Sequence, residues 1–303
     1  MSKQQIGVAE ILKKLNEYEL ISNDHAIFFR GHSNKDYKLE PYIYRDGIIK
    51  NEHIIFKELL LRCPQDFEHC KTTFEFLVKM QHYSLPTRLL DITTNPLIAL
   101  YFACQSKSKN DAELIVFKVP KSSIKYYDSD TVSILSNLSR ISYDFWITPN
   151  IDTDLMFLDD GYDEMCVEFN SQYHVKKLVY EIQSEKPHFE PRIEPNVLSK
   201  VLCVKPKMDN QRVIRQDSAF FLFGIDNFKK DKPAKLNDSL ILTKNKKIII
   251  PHSDKARIIG QLEILGITEA TIFPEIEKVA SYIRSLAKVV IASSSGLPVQ
   301  RLS

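Results

Sequence analysis

Residues 81–103, QHYSLPTRLLDITTNPLIALYFA, constrain the fold more than any other stretch of the chain. Proline at 86 pushes Leu85 out of the α region, so a preceding helix must end there. Arg88-Leu89-Leu90-Asp91-Ile92 then reads as a strand. Asn95 suits an N-cap, and Pro96 suits the first helical position, where its missing N–H costs nothing. A helix over 96–105 follows, with Ile98, Ala99, Phe102 and Ala103 facing inward. The small Ala99 and Ala103 would let it lie close to a sheet. The polar His82, Arg88, Asp91 and Thr93 are threaded among apolar neighbours. Buried polar groups need partners, so these residues either satisfy one another or line a pocket.

The rest of the chain repeats this alternation of helix and strand. Residues 6–20 place Val8, Ile11, Leu12 and Leu15 on one helical face. Ala26-Ile27-Phe28-Phe29 reads as a buried strand that delivers Arg30 at its end, beside Gly31, a glycine that lets the chain turn. Residues 52–62 and 72–83 read as helices. Apolar runs at 112–119, 198–204, 219–224 and 246–251 read as strands, and 257–265 and 276–287 as helices. Residues 120–165 suggest a helical insertion, 186–196 a proline-bearing loop, and 226–247 a lysine-rich, exposed excursion. The expected fold is α+β: a mixed central sheet flanked by helices, with a helical and loop insertion. An N-terminal helix over 1–20 would pack on one α/β domain spanning 21–290. That domain would carry an irregular insertion at 120–200, followed by a tail over 291–303.

Composition removes several function classes. With 41 basic and 39 acidic residues, the chain carries no general nucleic-acid-binding charge. Its 8 glycines form neither a dinucleotide fingerprint nor a P-loop. Cysteines 63, 70, 104, 166 and 203 contain no C-x-x-C pair, so reduced, packed thiols are expected and a zinc site is not. The run Asp159-Asp160-Gly161-Tyr162-Asp163-Glu164 lacks the alternating ligands of a calcium loop and reads as a solvated loop, so no metal is expected. The N-terminal residues lack the apolar run of an export leader, and nothing approaches the ~20 apolar residues of a membrane span. A cytoplasmic protein without a membrane partner is the expectation.

Phe29-Arg30-Gly31, Gln81-His82, Pro86-Thr87-Arg88-Leu89-Leu90-Asp91 and a helix ending in Phe102-Ala103 stand here in order. Together they closely resemble the FRG domain, a family named for that tripeptide. Later parts of the pattern are Arg212, Gln216, Ala219 and Phe220, with Ser218 where a glycine is usual, then residues 262–267 and Phe273-Pro274. The resemblance runs from 21 to 283 and is weakest over 120–200. It implies a bacterial or phage protein of a conflict system, a toxin or antiphage defence effector. An antitoxin or a phage protein is the partner class it suggests.

A more distant resemblance is to mono-ADP-ribosyltransferases. These carry an arginine at the end of an early strand, a Ser/Thr-bearing strand leading into an Ala-x-x-Phe-Ala helix, and a later glutamate. Arg30, then Thr93 and Thr94 before residues 99–103, look like the first two parts. Gln216 stands where the glutamate would be, with Asp91 and Asp217 as the nearest acids. The resemblance implies NAD as co-substrate and a protein or nucleic-acid acceptor. An arginine fork suits its pyrophosphate, and the helix opening at Pro96 would offer free N–H groups to an anion. The implied catalytic residues are Arg30, His82, Asp91 and Gln216. Those expected to hold the nucleotide are Arg30, Gly31, Arg88, Thr93, Thr94 and Tyr83.

Structural roles compete with these. Arg30 could pair with Asp91 or Glu40, Arg88 could pair with Asp91, and His82 could cap the helix before it. Tyr42, Tyr44 and Tyr83 could be core or could stack on a base. Lys229, Lys230, Lys232, Lys235, Lys244, Lys246 and Lys247 form a basic band, whose ordinary reading is solvated lysine and whose alternative is a phosphate-tracking surface. At the level of function, a non-catalytic sensor of a nucleotide or phage protein stands beside the enzyme reading, as does a nucleic-acid binder.

Overall fold

The apolar run at Phe28-Phe29 continues through the tripeptide as a single strand, β1 (His25–His32). The computed structural model describes residues 5–147 and 159–284. In it β1 lies inside a seven-stranded sheet. The other strands are β2 (Leu89–Thr93), β3 (Ala112–Pro120), β4 (Lys125–Tyr126), β5 (Val201–Lys205), β6 (Ser218–Phe223) and β7 (Ile248–Ile250). Their order is β4-β5-β6-β2-β1-β3-β7, and only β4 and β5 run parallel. The expected α+β class with a mixed sheet is therefore the observed one.

Helices flank this sheet. They are α1 (Val8–Leu15), α2 (Glu52–Arg62), α3 (Thr73–His82), α4 (Pro96–Cys104), α5 (Asp130–Asn137) and α6 (Asp159–Ser171). There follow α7 (Tyr173–Glu185), α8 (Pro195–Leu198), α9 (Gln211–Arg215), α10 (Lys255–Ile264) and α11 (Glu269–Ile272). Residues 276–284 are also helical, and 285–287 of that expected helix lie outside the described residues, as does the tail over 291–303. Local signals set the two helices that matter most. Thr72 accepts from the Glu75 N–H at the start of α3, and the Glu75 carboxylate reaches back in a capping box. Asn95 accepts from the Leu97 N–H at the start of α4.

Buried side chains cluster on both faces of the sheet. Val8, Ile11 and Leu15 of α1 pack with Phe29, Ala99, Ala103, Ile258 and Leu262. Phe74 and Leu77 of α3 pack with Leu135, Leu178, Ile182 and Phe220, so α5 and α7 are part of the core. Residues 226–247 are not simply an exposed excursion. Leu236 is buried in a third cluster with Phe28, Phe117 and Phe221, and Leu240 and Ile241 pack against it. The expected strand at 198–204 starts only at Val201, because Pro195 opens α8 and Leu198 completes it.

Gly31 does not turn the chain. It lies within β1, opposite Leu114 of β3. Its role is close approach. A Cβ there would stand 1.9 Å from the Ala99 carbonyl oxygen and 2.6 Å from the Ala103 backbone nitrogen. Only glycine lets α4 lie this near the strand.

A buried charge network ties α2 to β2 and β6. Arg88 is 0 % exposed. Its Nε and Nη2 donate to Glu52 Oε1 at 3.0 Å and Oε2 at 2.5 Å, and its Nη1 donates to the Phe223 carbonyl at 2.9 Å. The Arg88–Asp91 pair considered from sequence does not form. Residues 88 and 91 differ by an odd number along an extended chain, so their side chains leave on opposite faces. Lys229, expected in a solvated band, is 0 % exposed as well. Its Nζ lies 3.1 Å from Glu52 Oε2 and donates to the Ile141 carbonyl. Burial pushes the Glu52 carboxyl up, but Arg88 and Lys229 outweigh it and hold the group below the usual carboxylate range. Burial lowers the Lys229 ammonium to about 8 against the opposing pull of Glu52. Other lysines of the band are paired: Lys244 with Asp238 at 2.9 Å, Lys247 with Glu113 at 3.3 Å, and Lys246 with Glu17.

Among the described residues no helix is long and apolar enough to cross a membrane. The five cysteines are unpaired thiols, three of them buried. Within the acidic run, Asp163 pairs with Arg192 at 2.6 Å, and the side chains of 159–162 lie outside the described residues.

Two substitutions test this account. Arg88→Met leaves Glu52 short of its main partner and is expected to destabilise the protein by about 3–5 kcal/mol in urea unfolding at neutral pH. Gly31→Ala forces α4 off β1 and is expected to cost about 1–3 kcal/mol or more. Wild-type unfolding midpoints in either variant would contradict the assignment.

Candidate functional site

β1 and β2 are neighbours joined by a single ladder pair, Phe29 with Thr93. Past that pair the strands separate, so Gly31 and His32 no longer bond Asp91 and Leu90. A cleft of about 330 Å³ opens in this fork. That is at the lower end of ordinary ligand sites, about 300–1,000 Å³. Residues 29–33 of β1 and its exit line one wall, and residues 89–93 line the other. Ala99 and Phe102 of α4 close one side. Gln81 and His82 come from the end of α3, Arg212 from α9, and Gln216 from the turn before β6. Tyr37, Glu40, Tyr42 and Arg45 come from the irregular segment after β1.

Arg30 spans the fork. Its Nη1 donates to the Asp91 carbonyl at 2.6 Å, and the Asp91 carboxylate lies 3.8 Å away. Its Nε donates to His32 Nε2 at 3.0 Å. Its Nη2 has no acceptor among the described residues. The Asp91 carboxylate accepts from Gln81 Nε2 at 2.9 Å, and Gln81 Oε1 accepts from the Thr87 hydroxyl at 2.7 Å. The carboxylate stays 49 % exposed. Arg45 lies 5.1 Å from the ring centres of both Tyr37 and Tyr42, a cation–π arrangement, and has no ion-pair partner among the described residues. Arg212 donates to the His82 carbonyl at 2.7 Å, lies 3.4 Å from Glu275 and stacks 4.6 Å over Phe273.

Three buried polar atoms of the lining have no partner among the described residues: His32 Nδ1, His82 Nδ1 and Arg212 Nε. Buried polar atoms call for partners, so these three are the groups of the lining open to a ligand or to water. Both histidines are held neutral. Burial, reinforced by Arg30, Arg45 and Lys247, lowers the His32 imidazole to about 3. Burial and Arg212 lower His82 to about 4, against Asp91 and Glu275.

The fork brings together Arg30, Gly31, His82, Asp91, Thr93 and Gln216 of the residues singled out from sequence. It does not bring in Arg88, which is locked in the charge network, nor the exposed Tyr83 and Thr94, which lie outside the lining. Asp217 also lies outside, its carboxylate accepting from Asn95 Nδ2 at 3.2 Å. The opening of α4 does not face the cleft, and Asn95 has already taken one of its free N–H groups. The Thr93 hydroxyl gives its hydrogen to the Gln216 carbonyl at 2.7 Å, so towards a ligand it can only accept. Gln216 Nε2 donates to the Ile272 carbonyl at 3.2 Å, which leaves its oxygen and its second amide hydrogen open. His32, Gln81, Glu40, Tyr37 and Arg45 join the site without having been singled out for it. His32 was within reach of sequence reasoning, two residues beyond Arg30 on the same strand face. Gln81 stands in the signature beside His82, and Glu40 is a possible partner of Arg30 from sequence; Tyr37 and Arg45 carry no such signal.

The neutral histidines set a pH dependence. Their folded pKa values lie below the unfolded value of about 6.5, so between the two the unfolded chain binds more protons. Stability is therefore expected to fall as pH drops below 6.5, by up to about 1.4 kcal/mol per pH unit per histidine. Urea unfolding at stepped pH values checks this. His82→Gln should show a shallower loss than wild type over pH 6.5 to 4, and an unchanged slope would contradict a buried neutral His82.

A comparison with family models matches residues 25–112 to the FRG domain. Comparisons with curated proteins and with solved structures return no match. The match takes in β1, α2, α3, β2, α4 and the first residue of β3, and so both walls of the fork. The later positions at 212–220 and 262–274 lie beyond it. From the strand that bears Phe29-Arg30-Gly31 to the start of β3, this chain carries an FRG domain.

Proposed function

We propose that the fork between β1 and β2 is an NAD site, and that the protein is an ADP-ribosyltransferase-like toxin or defence effector. It would transfer ADP-ribose to a protein or nucleic acid, or hydrolyse NAD. The observation that carries this reading is the pair of unpaired donors His32 Nδ1 and Arg212 Nε on one cleft, where Arg30, Arg45 and Arg212 stand against Asp91 and Glu40. A surplus of fixed donors calls for an anionic ligand rich in acceptors, and a pyrophosphate meets that need. The distant family resemblance is supported by topology. Arg30, Thr93 and Gln216 come from β1, the end of β2 and the residues just before β6, three adjacent strands.

In the proposed reaction the bond from ribose C1′ to the nicotinamide nitrogen breaks. Its electron pair leaves with nicotinamide, and an acceptor nucleophile or water attacks C1′ and gives up a proton. Arg30 would hold phosphate. Gln216 offers an oxygen dipole but no charge to the developing cation. Asp91 and Glu40 are the carboxylates of the lining that could supply it. The reading assigns the protein to the cytoplasm, where NAD and acceptors are found.

A second reading is a sensor that binds a nucleotide or phage protein without turnover. It is favoured by Gln216 and by an Asp91 carboxylate already bonded to Gln81. Incubation with labelled NAD and cell lysate separates the two. Wild type is expected to release nicotinamide, and Arg30→Ala to lose about 10²–10³-fold of that rate. Asp91→Asn and Glu40→Gln report which acid takes part. NAD binding without release would favour the sensor, and failure to bind NAD at all would contradict the proposal.

A further inference from the structure

His32 sits two residues beyond Arg30 on the same face of β1 and is 3 % exposed. The Arg30 guanidinium always carries its hydrogens, so its Nε–H, 3.0 Å from His32 Nε2, makes that nitrogen an acceptor. A neutral imidazole then bears its proton on Nδ1. That N–H is buried in the lining and has no partner among the described residues. The Tyr37 ring stands edge-on to the imidazole, with the ring centres 6.0 Å apart. Arg30, Arg45 and Lys247 are the charges acting on the ring, and all are cations. They favour an acceptor that is itself negative.

We propose that His32 is a specificity-determining residue of the fork, donating its Nδ1–H to a phosphoryl oxygen of the bound ligand. The inference rests on reading the cleft as a nucleotide site. It adds a defined contact to that reading: an oxygen acceptor without a proton must stand at Nδ1. A ligand presenting a donor at that point would face a buried N–H and be rejected. Arg30 thus has two tasks. It spans the fork, and through its Nε it fixes which nitrogen of His32 points at the ligand, which makes it a positioning residue for His32.

Histidine ¹⁵N spectra of the ligand-free protein test the tautomer directly, and titration with inorganic pyrophosphate and with ADP-ribose tests the contact. Wild type should show His32 protonated at Nδ1, and both probes should shift that signal. His32→Gln can still accept from Arg30 but presents no donor at the Nδ1 position, and should bind ADP-ribose at least about tenfold more weakly. His32→Asn sets an amide nitrogen close to where Nδ1 stands and should recover most of the affinity. A proton on Nε2, no response to pyrophosphate, or equal losses in both variants would overturn the proposal. The NAD reading can fail separately. Pyrophosphate binding through His32 with no nicotinamide release would leave this contact standing and remove the transferase.

Discussion

With no Cβ on Gly31, the backbone of α4 rests directly against β1, and the geometry of the fork follows from that contact. The Ala99 carbonyl and the Ala103 nitrogen occupy space that any other residue at 31 would need. The small Ala99 and Ala103 side chains complete the fit from the helix side. Pro96 and Asn95 then determine where α4 begins, and the Thr93 hydroxyl, bonded to Gln216, ties the end of β2 to the approach to β6. Arg30 and His32 leave β1 on the face opposite Gly31. The tripeptide therefore works as a unit: phenylalanine in the core, arginine across the fork, glycine under the helix.

The opposite branch is held by charge. Arg88 immediately precedes β2, at the diverging end of the fork, and is bound to Glu52 on α2 and to the carbonyl of Phe223 at the end of β6. These bonds draw the start of β2 towards β6 and away from β1. The antiparallel β2–β6 ladder runs the full length of β2, whereas β1 and β2 share one pair. A buried network of this kind adds little net stability over a well-packed apolar core, because desolvation offsets most of the attraction. What it contributes is placement. Arg88 shapes the cleft without reaching it.

Much of this was legible in local sequence. The proline and cap signals at 86, 95 and 96 act through backbone geometry within a few residues, and they located the end of α3, the strand β2 and the helix α4. Arg30, Gly31, His82, Asp91, Thr93 and Gln216 meet around one cleft, whereas Arg88, Thr94 and Tyr83 of the same expected set lie outside its lining. Misreadings came where a residue's partner is distant in sequence. Gly31 resembles a turn glycine until Ala99 is known to lie over it. For Arg88 the sequence offers a nearby acid, Asp91, or a ligand role, and its partner is Glu52, 36 residues away. Lys229 looked like one solvated lysine among many because nothing local marks a buried one. Glu40, Tyr37 and Arg45 come from an irregular segment with no periodicity to read.

The central claim is that the fork between β1 and β2 receives a nucleotide on its unpaired donors. Hydrogen–deuterium exchange with and without NAD tests it most directly, because the backbone amides that β1 and β2 turn towards the fork lack the ladder bonds that β3 and β6 give their outer sides. The account predicts ligand-dependent protection confined to residues 29–33 and 89–93 and to the approach to β6 at 212–218. Protection located elsewhere in the chain, or none at saturating NAD, would contradict it.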